Sequence, residues 1–224
     1  MTNEPAARRN FLAKMSAGAL SLIAGTATAA RANPRPSHDG GLLAADEKWL
    51  EGLNGKHKAY YDATSVNDGF ALGYALNLLD TYDQAYGTKD SDVNVIVGFR
   101  HFSIPLAFND SLWAKYKFGE FAKINDPATK QPAVRNIYMH SKPGDLMLPG
   151  MAIEKLQARG VRFVVCNVAL TLLSGMMGKS AGLTPEAAKK EWTAAMHPGF
   201  MIVPSGVLAV NRAQEAGCKY CSAG

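Results

Sequence analysis

The chain has 224 residues, 47% hydrophobic and 19% charged, with 24 basic against 19 acidic side chains. This composition excludes a mostly disordered chain, and the length fits one domain with tails. No run of about 18 or more strongly apolar residues argues for a permanent membrane-spanning helix, and three cysteines are too few for a disulfide scaffold.

Residues 7–14 read Ala-Arg-Arg-Asn-Phe-Leu-Ala-Lys, and a weakly apolar, Ala- and Gly-rich run follows from Met15 to Ala30. The pattern resembles a twin-arginine export signal, with Ala7 in place of the usual Ser or Thr and Lys14 one position late. Small residues fit cleavage after Ala29 or after Ala32, and both stay open. The expectation is a signal over residues 1–32, read by the twin-arginine export machinery. The mature protein is then periplasmic, with no stable membrane anchor. Losing residues 1–32 removes Arg8, Arg9, Lys14, Arg31 and Glu4, which takes the net charge from +5 to +2. No remaining basic run resembles a nucleic-acid patch, so no nucleic-acid partner is expected.

Residues 33–55 read as a turn-rich linker with a short helical patch around Leu42–Leu53. The folded domain is expected over 56–224. Lys58–Ala63 predicts a strand, and Ser65 to Asp68 offer helix-cap residues for a helix from Phe70 to Tyr82. Val93–Phe99 is a continuous apolar run, the mark of a strand buried on both faces. Ile104–Ile124 has a helical pattern, in which Trp113 and Tyr116 pack while Lys115 and Lys117 are solvated. Residues 125–150 form a polar insert with Pro and Gly, of the length expected for a lid or functional loop. A short helix over Met151–Ala158, a buried strand over Val161–Val165 and an apolar helix over Ala169–Met177 follow. Thr184-Pro185 then opens a charged helix. Phe200–Val203 predicts a strand, Ser205–Ala216 a helix and Cys218–Cys221 a last strand. Strands alternating with helices predict a three-layer α/β/α domain with a mainly parallel sheet of about five strands. Ligands of such sheets gather at the strand carboxyl ends.

Cys166 closes an apolar strand just before a helical segment, and a helix N-terminus favours the nucleophilic thiolate form of a thiol. The opposing reading is a small buried hydrophobe. Cys218 and Cys221 form a CxxC in an extended segment, where the two side chains point to opposite faces; a structural role fits them best. No histidine follows Cys221 to mark covalent haem attachment. The histidines His38, His57, His101, His140 and His197 form no local metal-binding spacing, although Met and His together leave a metal or haem site open. Arg100-His101 follows the second strand and so lies at a carboxyl end. With Asn167, beside Cys166, these are the candidate binding residues. No Ser/His/Asp pattern, Walker loop or GxGxxG occurs.

From about Lys56 onward, and most strongly from Gly160, the chain resembles the DsrE/DsrF-like family of small sulfur-relay proteins. The residues that carry this are Gly160-Val-Arg-Phe-Val-Val-Cys166-Asn-Val-Ala-Leu, then Val203-Pro-Ser-Gly-Val207, Ala213-Gln-Glu-Ala-Gly217 and the strand containing Tyr220. The resemblance implies an α/β/α unit, a homo-oligomer, and a persulfide carried on Cys166 with no dedicated cofactor. The export signal, the 125–150 insert and the terminal CxxC depart from cytoplasmic relay proteins, and the segments Arg100-His101 and Asp110-Ser-Leu-Trp-Ala-Lys-Tyr-Lys-Phe-Gly119 look like an exported subgroup. The alternative is a non-catalytic periplasmic module that binds a small ligand, a metal or haem.

Overall fold

The computed structural model describes residues 47–224; the expected export signal and most of the linker lie outside them. Five strands form one parallel sheet: β1 (His57–Ala63), β2 (Val93–Phe99), β3 (Arg162–Cys166), β4 (Phe200–Val203) and β5 (Lys219–Ser222). Their order across the sheet is β4-β3-β2-β1-β5, with Tyr60 opposite Ile96 and Val97 opposite Phe163 in register. The chain steps from β1 to β4 in one direction, then returns across the sheet to β5. Right-handed crossovers put the helices of the first three steps on one face and the return helix on the other.

The first face carries α1 (Phe70–Tyr86), α4 (Ile153–Ala158), α5 (Asn167–Ser180) and α6 (Pro185–Ala194), and the second carries α7 (Gly206–Glu215). Val95, Val97 and Phe99 point to the first face, while Ile96 points to the second beside Tyr60 and Val164. Strand alternation thus divides one apolar run between two cores. The α/β/α expectation holds.

Several local expectations change. Ser65 to Asp68 do not cap α1: its N-cap is Gly69 in the left-handed region, with no side-chain capping bond. The expected helix over Ile104–Ile124 is three pieces. A 3-10 segment spans His101–Ala107 and contains Pro105, which lacks an N–H. Asn109 then starts α2 (Asp110–Lys115) by accepting from Leu112 N at 3.2 Å. Lys117 and Lys123, at φ 51° and 57°, bracket α3 (Phe118–Ala122). The described part of the 42–53 patch is a run of turns broken at Gly52 (φ 67°), with Trp49 and Leu53 packed on the second face. Thr184 caps α6 as expected, accepting from Ala187 N at 3.2 Å.

The 125–150 insert is anchored rather than loose. Arg135 reaches Asp126 through Nε and Asp145 through both Nη atoms, each at 2.7 Å. Asn136 Nδ2 donates to the carbonyls of Leu106 and Phe108 at 2.8 and 3.0 Å. Ile137, Tyr138 and Met139 are buried. These bonds fix the insert to the segment after β2.

Candidate functional site

β3 ends at Cys166 and β4 ends at Val203, and the chain leaves them toward opposite faces, into α5 and α7. Helices diverging from neighbouring strand ends open a crevice, the topological switch point where α/β sheets hold ligands. A cavity of about 250 Å³ occupies it, lined by Arg100, His101 and Phe102 from the end of β2, by Cys166 and α5, and by Ser205 and Val207.

Cys166 is both the last strand residue and the N-cap of α5, with its Sγ accepting from Ala169 N at 3.4 Å. The side chain is 5% exposed, at the cavity wall. Across the cavity, Ser205 is the N-cap of α7 and makes no side-chain capping bond. The first N–H groups of that helix have no carbonyl one turn back to bond, and its positive dipole end faces the same space. Gly206 permits this approach, because a Cβ there would lie 2.8 Å from the Cβ and Cδ of Arg100.

Arg100 is held by Asp62. Nε and Nη2 donate to the two carboxylate oxygens at 2.7 and 2.8 Å, a bidentate pair. Asp62 is 1% exposed and also accepts from the Tyr220 hydroxyl at 3.1 Å. Nη1 of Arg100 lies 2.9 Å from His101 Nε2. The hydrogen bonds to Asp62 raise the Arg100 pKa above its ordinary value, so the guanidinium stays charged. His101 has φ 52°, a conformation few side chains adopt.

Tyr60 reaches across β2. A Cβ on Gly98 would lie 1.9 Å from its Oη, so only glycine leaves room for it. The ring is 1% exposed, and its hydroxyl is buried with no hydrogen-bond partner. Burial, then the charge of Asp62, pushes this phenol's pKa up, and Cys166 and Arg100 are among the groups whose charge it feels.

Of the residues singled out from sequence, Cys166, Arg100 and His101 meet in the one cavity. Asn167 begins α5 but is not among the lining residues, nor is any residue of the 125–150 insert. The insert is therefore no lid on this cavity. Asp62, Tyr60, Ser205, Phe102 and Tyr220 were not singled out. All three cysteines are free. Cys218 packs on the second face and Cys221 against the first, as the extended-strand reading expects. His140 and His197 stack edge to face with centroids 5.9 Å apart, and His140 Nδ1 lies 2.5 Å from Glu154 Oε2. Burial, then the charge of His140, lowers the His197 pKa. Among the described residues no three His, Cys, Asp or Glu side chains gather as a metal cluster. None of the helices there is long and apolar enough to cross a membrane.

No family model matches the chain, and no curated protein matches it. Among solved structures, it is similar to a protein of unknown function, MTH1491, from Methanobacterium thermoautotrophicum. The two share 15% identity over 74% of this chain and 98% of that one, with a TM-score of 0.39.

Proposed function

We propose that this chain is an exported DsrE/DsrF-like protein that carries sulfur as a persulfide on Cys166. One observation carries the reading: the Cys166 sulfur caps α5 at the wall of a switch-point cavity that it shares with the charged Arg100 and the start of α7. A thiol so placed meets anionic sulfur compounds at the point where backbone N–H groups and a guanidinium favour negative charge.

With thiosulfate as donor, the Cys166 thiolate attacks the outer, sulfane sulfur. Its electron pair forms the new S–S bond, while the S–S bond of thiosulfate breaks and sulfite leaves with the bonding pair. The thiol proton has gone to water, the product is Cys166–S–S⁻, and charge is conserved. No outside oxidant is consumed. Arg100 and the α7 N-terminus stand where the departing anion gathers charge.

The test is peptide-resolved mass spectrometry of the protein after incubation with thiosulfate or polysulfide. The Cys166 peptide is expected to gain one sulfur atom that dithiothreitol removes, with no gain elsewhere in Cys166→Ser. A Cys166 that stays unmodified under both donors sinks the reading.

A further inference from the structure

The cavity beside Cys166 has its polar groups at the strand carboxyl ends and apolar side chains over the rest of its lining. Beyond Arg100, His101, Ser205 and the thiol, its walls are Phe102, Val168, Ala169, Leu172, Leu173 and Val207. Four of these are exposed large hydrophobics, with Leu172 at 67%. Scattered exposed apolar residues need no explanation, but a cluster lining one concave site marks a binding groove. Its volume is about 250 Å³. Inorganic thiosulfate would fill only the polar end and leave the apolar wall wet.

From this division we propose that the sulfur donor is an organic thiosulfonate, R–SO₂–S⁻, with an apolar R group. This rests on the Cys166 persulfide reading and names its substrate class. The anionic head meets Arg100 and the α7 N-terminus, and R lies along Phe102, Val168, Leu172 and Val207. The Cys166 thiolate attacks the sulfane sulfur, the S–S bond of the donor breaks, and the sulfinate R–SO₂⁻ leaves with the bonding pair. The products are Cys166–S–S⁻ and R–SO₂⁻. The donor itself supplies the oxidised sulfur, and charge is conserved. Charge complementarity selects an anionic amphiphile over a neutral apolar ligand, which would cover the first N–H groups of α7 without supplying an acceptor.

The experiment measures initial rates of Cys166 persulfide formation by the full chain, with thiosulfate and with alkanethiosulfonates of increasing chain length. The half-saturating concentration is expected to fall about fourfold per added methylene until the cavity is full, with the maximal rate little changed. Benzenethiosulfonate is expected to load at lower concentrations than thiosulfate. Leu172→Asp, at an exposed position that tolerates polarity, is expected to flatten the chain-length dependence. A half-saturating concentration independent of chain length, with thiosulfate equally effective, overturns the organic-donor proposal and leaves the persulfide reading standing. Failure of every donor to load Cys166 overturns both.

Discussion

Arg100 and Arg135 are both gripped by carboxylates at hydrogen-bonding distance, yet their charges are spent differently. Arg135 sits between two aspartates, with Asp126 on Nε and Asp145 on both Nη atoms. Those aspartates also accept from the backbone N–H groups of Ala128 and Lys142. Each nitrogen of that guanidinium donates to a carboxylate, and the cluster ties the insert down. Arg100 has one carboxylate on one edge, and its remaining Nη1 meets only His101 at the cavity wall. An arginine saturated by carboxylates is a clasp; one held on a single edge is a positioned cation.

The largest effect that separates the two is expected from truncation. Arg100→Ala leaves Asp62 buried and without its counter-ion, a loss of about 3 kcal/mol of unfolding free energy. Urea denaturation measures that loss. In the same variant, persulfide loading at Cys166 is expected to slow by about tenfold, the weight of one charge-assisted hydrogen bond. Arg135→Ala is expected to cost less, about 2 kcal/mol, because backbone N–H groups still support both aspartates, and to leave loading at the wild-type rate. Equal slowing in the two variants would erase the distinction.

Gly98 comes next. Gly98→Ala drives a methyl into the Tyr60 hydroxyl and is expected to destabilise by about 2 kcal/mol. Tyr60→Phe removes the clashing, unpartnered oxygen, so by itself it is expected to be neutral or slightly stabilising. In the double variant it recovers about 1 kcal/mol of the Gly98→Ala loss. A purely additive cycle would mean that the tyrosine does not lie over β2 as described.

The smallest effect belongs to the clasp and appears in acid. Hydrogen bonds from Ala128 N and Arg135 hold Asp126 below its ordinary pKa of 3.8, and those from Arg135 and then Lys142 N do the same for Asp145. Carboxylates depressed in the folded state contribute stability above their unfolded pKa and lose it as pH falls through the folded value. Proteolysis within 125–150 is therefore expected to accelerate below about pH 4, and Arg135→Ala to weaken that dependence without removing it, because Ala128 N and Lys142 N still hold the two carboxylates. Acceleration at neutral pH in the intact chain would contradict the clasp.

Much of the fold was legible in the sequence because buried parallel strands read as apolar runs. Val93–Phe99 matched to the residue, and β3 is shifted by one position, ending at Cys166 itself. The broken segment after β2 was not legible, because Phe, Leu and Trp at helical spacing mask the stops at Pro105 and Lys117. For the site, Cys166, Arg100 and His101 could be placed because strand ends point to one edge. Asp62 escaped, although a lone acid inside Tyr60-Tyr61-Asp62-Ala63 is itself a signal, since a buried carboxylate needs a partner. Its partner, Arg100, is 38 residues away. The insert read as a lid because the bonds made by Asn136 to Leu106 and Phe108 span 30 and 28 residues, beyond any local pattern.

The most direct measurement is a thiol-state map of the freshly purified protein, with free thiol, disulfide and persulfide distinguished at each cysteine by differential alkylation. The account predicts a sulfur adduct at Cys166 alone, with Cys218, whose thiol pKa burial pushes up, unmodified on the opposite face. Sulfur on Cys218 or Cys221 with Cys166 unmodified, before and after exposure to a sulfane donor, would contradict it.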